Sequence, residues 1–297
     1  MRKIILAALA VSLFSADSAF GQSFFAMRRS RSLMFVGGTG TSTYFGELAN
    51  DGDYLQAKLN VTLGLQYYVT RKIGLRADVT WFQLSGSDAK AGSESRKPRN
   101  LSFSSNNFEI SVVGMYNFYP QGRTFYQRPA FNFYAFGGIG LCYFNPTADY
   151  KGTSYSLPSL KTEGVSYSTF TPVIPLGLGV RFKVGPLMNL SFEGGYRFTF
   201  TDYLDDVSTS YRDASKFTDP IALALSDRRG EINSTATPIV DGAKRGNPAK
   251  NDAYFLFNAK IEYYLPVNFL SGGSRQKTFK KKRKAYYRYN KKGGLRK

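Results

Sequence analysis

Residues 55–69, LQAKLNVTLGLQYYV, then TRK at 70–72 and IGLRADVTWFQL at 73–84, alternate in polarity almost residue by residue. Every second residue from Leu55 is apolar: Leu55, Ala57, Leu59, Val61, Leu63, Leu65, Tyr67 and Val69. The residues between them are Gln56, Lys58, Asn60, Thr62, Gly64, Gln66 and Tyr68. The pattern restarts after the turn, with Ile73, Leu75, Ala77, Val79 and Trp81 on one side and Gly74, Arg76, Asp78 and Thr80 on the other. Strict period two means an extended strand with one apolar and one polar face. The first strand exceeds the roughly nine to eleven residues that a tilted strand needs to cross hydrocarbon. The stretch therefore predicts a membrane β-hairpin whose apolar face points outward.

The same alternation recurs along the chain. Strands are expected over about 32–47, 101–119, 130–145, 170–183, 187–200 and 253–265, which with the hairpin makes eight. The Gly37-Gly38-Thr39-Gly40 run in the first strand superficially resembles a phosphate loop. No Lys-Ser/Thr or helix follows it, so it is read as a strand bend or a close neighbour. Short or moderate links follow strands two, four and six. Long ones follow strands three, five and seven, and the segments 146–169 and 201–252 are expected as polar loops. Even strand number and alternating link length define an all-β fold: an eight-stranded antiparallel transmembrane β-barrel over 31–269, with a disordered basic C-terminal tail at 270–297.

Composition sharpens this. The chain has 297 residues, 16% aromatic, with 29 Gly, no His and Cys142 as its single cysteine. Absence of His removes Ser-His-Asp and Cys-His catalysis and His-based zinc sites, so no enzyme and no cofactor is expected. Met1-Arg2-Lys3, the apolar run Ile4 to Phe14 and small residues at Ala19 and Gly21 read as a signal peptide over 1–21, followed by a periplasmic segment over 22–30. Export puts the barrel in the outer membrane with both termini periplasmic and lipid as its first partner.

Parity assigns Lys58, Arg76, Arg181, Arg197 and Lys260 to the lumen, with Asp78, Glu109, Glu193 and Glu262. Opposite charges in similar number predict a paired network filling a narrow interior, rather than an ion path. Two loop clusters are acidic, Asn50-Asp51-Gly52-Asp53 and Thr201 to Asp206. Calcium wants six to eight oxygens, and neither cluster has EF-hand spacing, so both are read as solvated carboxylates or turn caps.

After a Ser271–Ser274 linker the chain is strongly basic, with Lys280, Lys281, Lys282, Arg283, Lys284, Arg288, Lys291 and Lys292 among its cations and no acidic residue. Interleaved Tyr286, Tyr287 and Tyr289 could suit RNA, but export makes nucleic acid the wrong partner. An acidic periplasmic protein or anionic groups at the inner leaflet fit better.

Thr43-Tyr44-Phe45-Gly46-Glu47-Leu48 after the Gly-rich strand, and Thr201 to Ser208 with Asp202, Tyr203, Asp205 and Asp206, then Tyr211 and Asp213, resemble the PorG-like outer-membrane β-barrels of the type IX secretion and gliding apparatus. The resemblance covers about 31–269. It implies a non-enzymatic part of a secretion machine that ties a periplasmic ring of lipoprotein and partner subunits to the outer membrane. It does not place the basic tail. The alternatives are a structural or adhesion barrel working through its long loops, and a small-solute channel.

Overall fold

The computed structural model describes residues 32–50, 58–122, 127–233, 235–237 and 239–265. The segment expected as a signal peptide, residues 22–30, Asp51, Asp53 and the basic stretch with the Lys280–Lys292 cations lie outside the described residues. Ten strands follow in chain order: β1 Leu33–Phe45, β2 Lys58–Tyr68, β3 Ile73–Ser87, β4 Ser102–Asn117, β5 Phe131–Tyr143, β6 Pro146–Tyr150, β7 Thr153–Ser156, β8 Phe170–Lys183, β9 Met188–Thr199 and β10 Ala253–Tyr264. Eight of them run in the order β3-β2-β1-β10-β9-β8-β5-β4, and β4 pairs back onto β3. Every one of these pairings is antiparallel. The sheet therefore closes on itself as an eight-stranded β-barrel, and no edge strand is left among the eight.

The opening hairpin pairs Leu63 with Val79 and Leu65 with Ala77, so its apolar residues share one face. That face is outward. Ile110 is 63% exposed, Ile139 72% and Leu178 66%, in register with neighbours of the same kind. An apolar belt this continuous is stable against hydrocarbon, not water. Rings bound it at two heights. Trp81 pairs with Phe108, Phe108 with Tyr143 and Tyr143 with Phe170, which makes one aromatic girdle. Tyr67, Tyr116, Phe131 and Phe182 mark the other. Phe108 and Tyr116 are eight residues apart on β4, about 27 Å along the strand and about 20 Å along the membrane normal at a tilt of roughly 40°.

One end carries the links 70–72, 118–130 and 184–187 together with Leu33 and Tyr264; the other carries 46–57, 88–101, 144–169 and 200–252. Glycine at position 38 is demanded by the seam between β1 and β10. A Cβ there would lie 2.4 Å from the Ala259 carbonyl and 2.5 Å from Lys260 Cγ.

Two segments expected as plain loops are folded. Residues 146–169 contain the β6–β7 hairpin and a one-turn helix, Leu157–Leu160, and β6 pairs with β4 at Ser104 and Thr147. Strands of four and five residues are too short for alternation to announce them. Residues 201–252 fold over the barrel mouth and include a helix, Pro220–Ser226, whose first turn is capped by Asp219 accepting from the Ile221 amide. Leu204, Val207 and Leu225 from this segment join Leu48, Leu84, Phe103 and Phe144 in a single buried cluster.

Candidate functional site

Two places bring polar side chains together: the lumen at membrane depth and the cap at the long-loop end. In the lumen, Arg76 donates from Nε to Asp78 at 2.7 Å and from both terminal nitrogens to Glu193 at 2.9 and 3.0 Å. Lys260 pairs with Glu193 and lies 3.7 Å from Asp78. The Tyr134 hydroxyl donates to Glu193 at 3.0 Å. Toward the short-turn end, Arg181 pairs with Glu262 at 2.5 Å and also donates to Asn117 and the Tyr68 hydroxyl. Toward the cap, Arg197 lies 3.5 Å from Glu109, which accepts from the Tyr254 hydroxyl at 2.8 Å.

Four cations and four carboxylates are thus buried together, none more than 5% exposed. Charges at this depth persist because each meets an opposite charge and hydrogen bonds that replace water. Both ends are filled as well. Met34, Leu187 and Tyr264 close the short-turn end, where Arg128 donates to the carbonyls of Gly185, Pro186 and Met188. Phe82 stacks on Tyr254 at 4.6 Å beneath the cap. Lys58 departs from the set expected inside. It has the right parity, but it is the first residue of β2 and stands exposed at the rim.

The cap forms where β1, β10 and β9 emerge side by side, because those strands are neighbours in the sheet. Its first segment is the one after β1. The Tyr44 hydroxyl donates to Asp252 at 2.7 Å. A Cβ on residue 46 would lie 1.8 Å from that hydroxyl and 1.9 Å from Asp252 Oδ1, so only glycine fits beneath the bond. Asp252 also accepts from the Leu204 amide at 2.9 Å, and Glu47 accepts from the Asn247 amide at 3.1 Å. The two sequence motifs, more than 150 residues apart, therefore meet in one structure.

Asp202, Asp205 and Asp206 do not act as one cluster. Asp206 has φ of 67° and turns away to accept from Thr162 and from Tyr167 at 2.6 Å. Arg245 sits between it and Glu163, 2.9 Å from the latter. Tyr203 stacks on Tyr167 at 4.4 Å. Asp205 accepts from the Val207 amide and lies beside Tyr44. Asp202 faces Glu47 and Asp252: one carboxylate oxygen of each lies within 4.8 Å of the others. Among the described residues no Lys or Arg lies within 4.0 Å of Glu47, Asp202, Asp205 or Asp252.

Burial sets the proton affinities here. Burial first, then the charges of Glu47 and Glu163, push Asp202 up to about 7, with the Ser208 side chain offsetting part. Burial lifts Asp206 to about 6 against the pull of Arg245. Asp205 and Asp252 are held well above the usual carboxylate range, again by burial first and then by neighbouring carboxylates. The sequence marks Glu47 only as part of a motif, and its pattern does not single out Asp252, Glu163 or Arg245 as site residues. The only signal was position, since Asp252 is the last residue before β10.

Closed sheet, lipid-facing belt with two girdles and neutral packed lumen together define a transmembrane β-barrel of the outer-membrane type. The chain belongs to the family described as a domain of unknown function, DUF6089, which matches residues 27–219 and so includes both motifs. Among solved structures it is similar to Neisserial surface protein A (10% identity, 78% of this chain and 97% of that one, TM-score 0.40). It is also similar to Ail of Yersinia pestis, solved with the heparin analogue sucrose octasulfate (9%, 80% and 100%, TM-score 0.39). A third is OprG from Pseudomonas aeruginosa (10%, 81% and 99%, TM-score 0.39). Similarity at this level bears on neither ligand nor activity. No curated protein matches the chain in sequence.

Proposed function

We propose that this protein is a non-enzymatic outer-membrane component of a type IX protein secretion machine, anchoring a periplasmic ring or partner to the membrane. The observation that carries the anchoring role is the filled lumen. A barrel whose eight buried charges neutralise one another, and whose ends are packed, neither conducts solutes nor holds a substrate at membrane depth. What remains for function is surface at its two ends. The choice of a type IX machine rests on the Thr43–Leu48 and Thr201–Ser208 motifs and the family they resemble. In this reading the long-loop end faces outward and the short-turn end faces the periplasm. Contact with ring or lipoprotein subunits is made by the short turns and by Lys280, Lys281, Lys282, Arg283, Lys284, Arg288, Lys291 and Lys292.

The test is a pair of strains. Deleting the residues after Ser271 is expected to leave the barrel in the outer-membrane fraction while abolishing co-purification of periplasmic partners and lowering cargo export. Unchanged partners and export would remove the tail from the interface. Normal cargo export after deletion of the whole gene would overturn the secretion role. A second reading, an adhesion barrel, is favoured by the folded long-loop end, which exposes Ile232 and Val240 at 60% and 78%. Loss of surface attachment with intact export, after replacement of residues 227–240, selects it.

A further inference from the structure

We propose that Glu47, Asp202 and Asp252 form a binding site for one calcium ion that pins the cap to the barrel. It stands independently of the secretion role. Three segments far apart in sequence supply the three carboxylates, and one oxygen from each lies within 4.8 Å of the others. Oxygens sharing a single calcium at about 2.3–2.6 Å are separated by no more than about 5 Å, so one ion can bridge this set.

The second observation is Asp202 itself. It is 6% exposed, yet neither of its carboxylate oxygens accepts a well-formed hydrogen bond, and the nearby Ser208 side chain contributes only a favourable contact. Glu47 Oε2 and Asp205 Oδ2 are orphaned in the same way. Buried polar atoms are paired in the great majority of folded proteins, and four such orphan oxygens in one cap point to a positive partner that completes them. Among the described residues no cationic side chain fills that role. Arg245 is committed to Glu163 and Asp206, and Arg99 and Arg96 to Asp88. Asp252 is held by two donors, Tyr44 Oη and the Leu204 amide, each leaving its oxygen with a further lone pair. The scaffold of the site is thus fixed while its inner oxygens stay free.

The donor set is all oxygen. The chain has no His, and Cys142, on β5 in the buried cluster beneath the cap, is not among the groups that converge within 4.8 Å, so a hard cation is selected over zinc or copper. Calcium suits it better than magnesium, because carboxylates from three irregular segments accommodate a flexible, partly bidentate shell and not a strict octahedron. Asp202 keeps 6% exposure against 1% for Asp205, so it is the nearer of the two to solvent.

The experiment uses the full chain folded in detergent micelles and stripped with EDTA. Terbium, a calcium probe excited through tyrosine, is titrated in and displaced with CaCl2, and bound calcium is counted by equilibrium dialysis. One terbium per chain is expected, displaced by calcium near 0.1–1 mM, roughly the affinity of extracellular calcium modules. Asp202→Asn and Glu47→Gln should weaken it at least about tenfold, as expected when one charged ligand of a calcium shell is neutralised, whereas Asp219→Asn on an exposed cap should not. Asp202→Asn removes an unpaired buried charge, so it should fold as well as the native chain, checked by its mobility before and after boiling. Wild-type protein that holds no calcium at about 10 mM, well above the weakest such modules, would overturn the site. So would variants that bind as wild type. Displacement by magnesium at the same concentration would overturn the choice of calcium.

Discussion

The lumen network makes a quantitative prediction about Arg76 and Glu193. Arg76→Met leaves Asp78 and Glu193 facing Lys260 alone, one negative charge in excess. Glu193→Gln leaves Arg76 and Lys260 facing Asp78, one positive charge in excess, while Gln can still accept from the Tyr134 hydroxyl. Removing one partner from a buried pair costs about 3–5 kcal/mol, so each single variant should lose that much. The double variant leaves only Lys260 and Asp78, already 3.7 Å apart, and the lumen is neutral again. Its loss should fall short of the sum by about 2–3 kcal/mol, within the range of coupling seen for residues in one network. Reversible urea unfolding in lipid vesicles reads this directly. Trp81 is the single tryptophan and lies on the outward face in register with Phe108, so its emission follows insertion. The slope against urea should stay constant across the four proteins. Additivity within about 0.5 kcal/mol would refute the idea that these charges act as one neutral unit.

Gly46→Ala should break the Tyr44–Asp252 hydrogen bond, because its Cβ would sit 1.8 Å from the hydroxyl. Protease should then cut within 200–252 faster, with the barrel's heat-modifiable mobility retained; equal protection would count against the bond as a cap fastener. Asp88 is fully buried between Arg96 and Arg99, so Asp88→Asn should weaken the 88–101 link by about 3–5 kcal/mol, seen as faster amide exchange there and not in β4. Unchanged exchange would show that the two pairs do not hold this link. In planar bilayers the wild-type protein should give no steady conductance; an ohmic channel would mean the lumen opens.

The barrel is legible in the sequence because lipid on one side and a packed lumen on the other force period two on every strand. Parity also names the inward face, which is why eight of the nine residues expected as lumen charges are buried. Parity carries no information on height, and Lys58 shows the cost: an inward-facing position one turn of pleat too high is exposed rim. The cap is a different case. Residues 201–252 have no period, because their apolar side chains enter the mouth singly, as Leu204, Val207 and Leu225 do. Neighbouring Asp202, Asp205 and Asp206 look alike in the chain and yet face three different environments. Their partners come from far away, as Tyr44 and Asp252 do across 208 positions.

The seam between β1 and β10 has a mechanical side. Its twelve residue pairs run from Met34 with Tyr264 to Phe45 with Ala253, and the Leu265 amide bonds the Leu33 carbonyl at the short-turn rim. Leu33 and Leu265 therefore stand side by side at that rim, one strand spacing of about 4.8 Å apart. A partner that gripped the rim at both points would meet each at high local concentration for the other, so two weak grips would act as one strong one. Tension at either point also runs along the strand axes. It loads the ladders of β1 and β10 in shear, with many bonds sharing the force, instead of peeling them open one at a time.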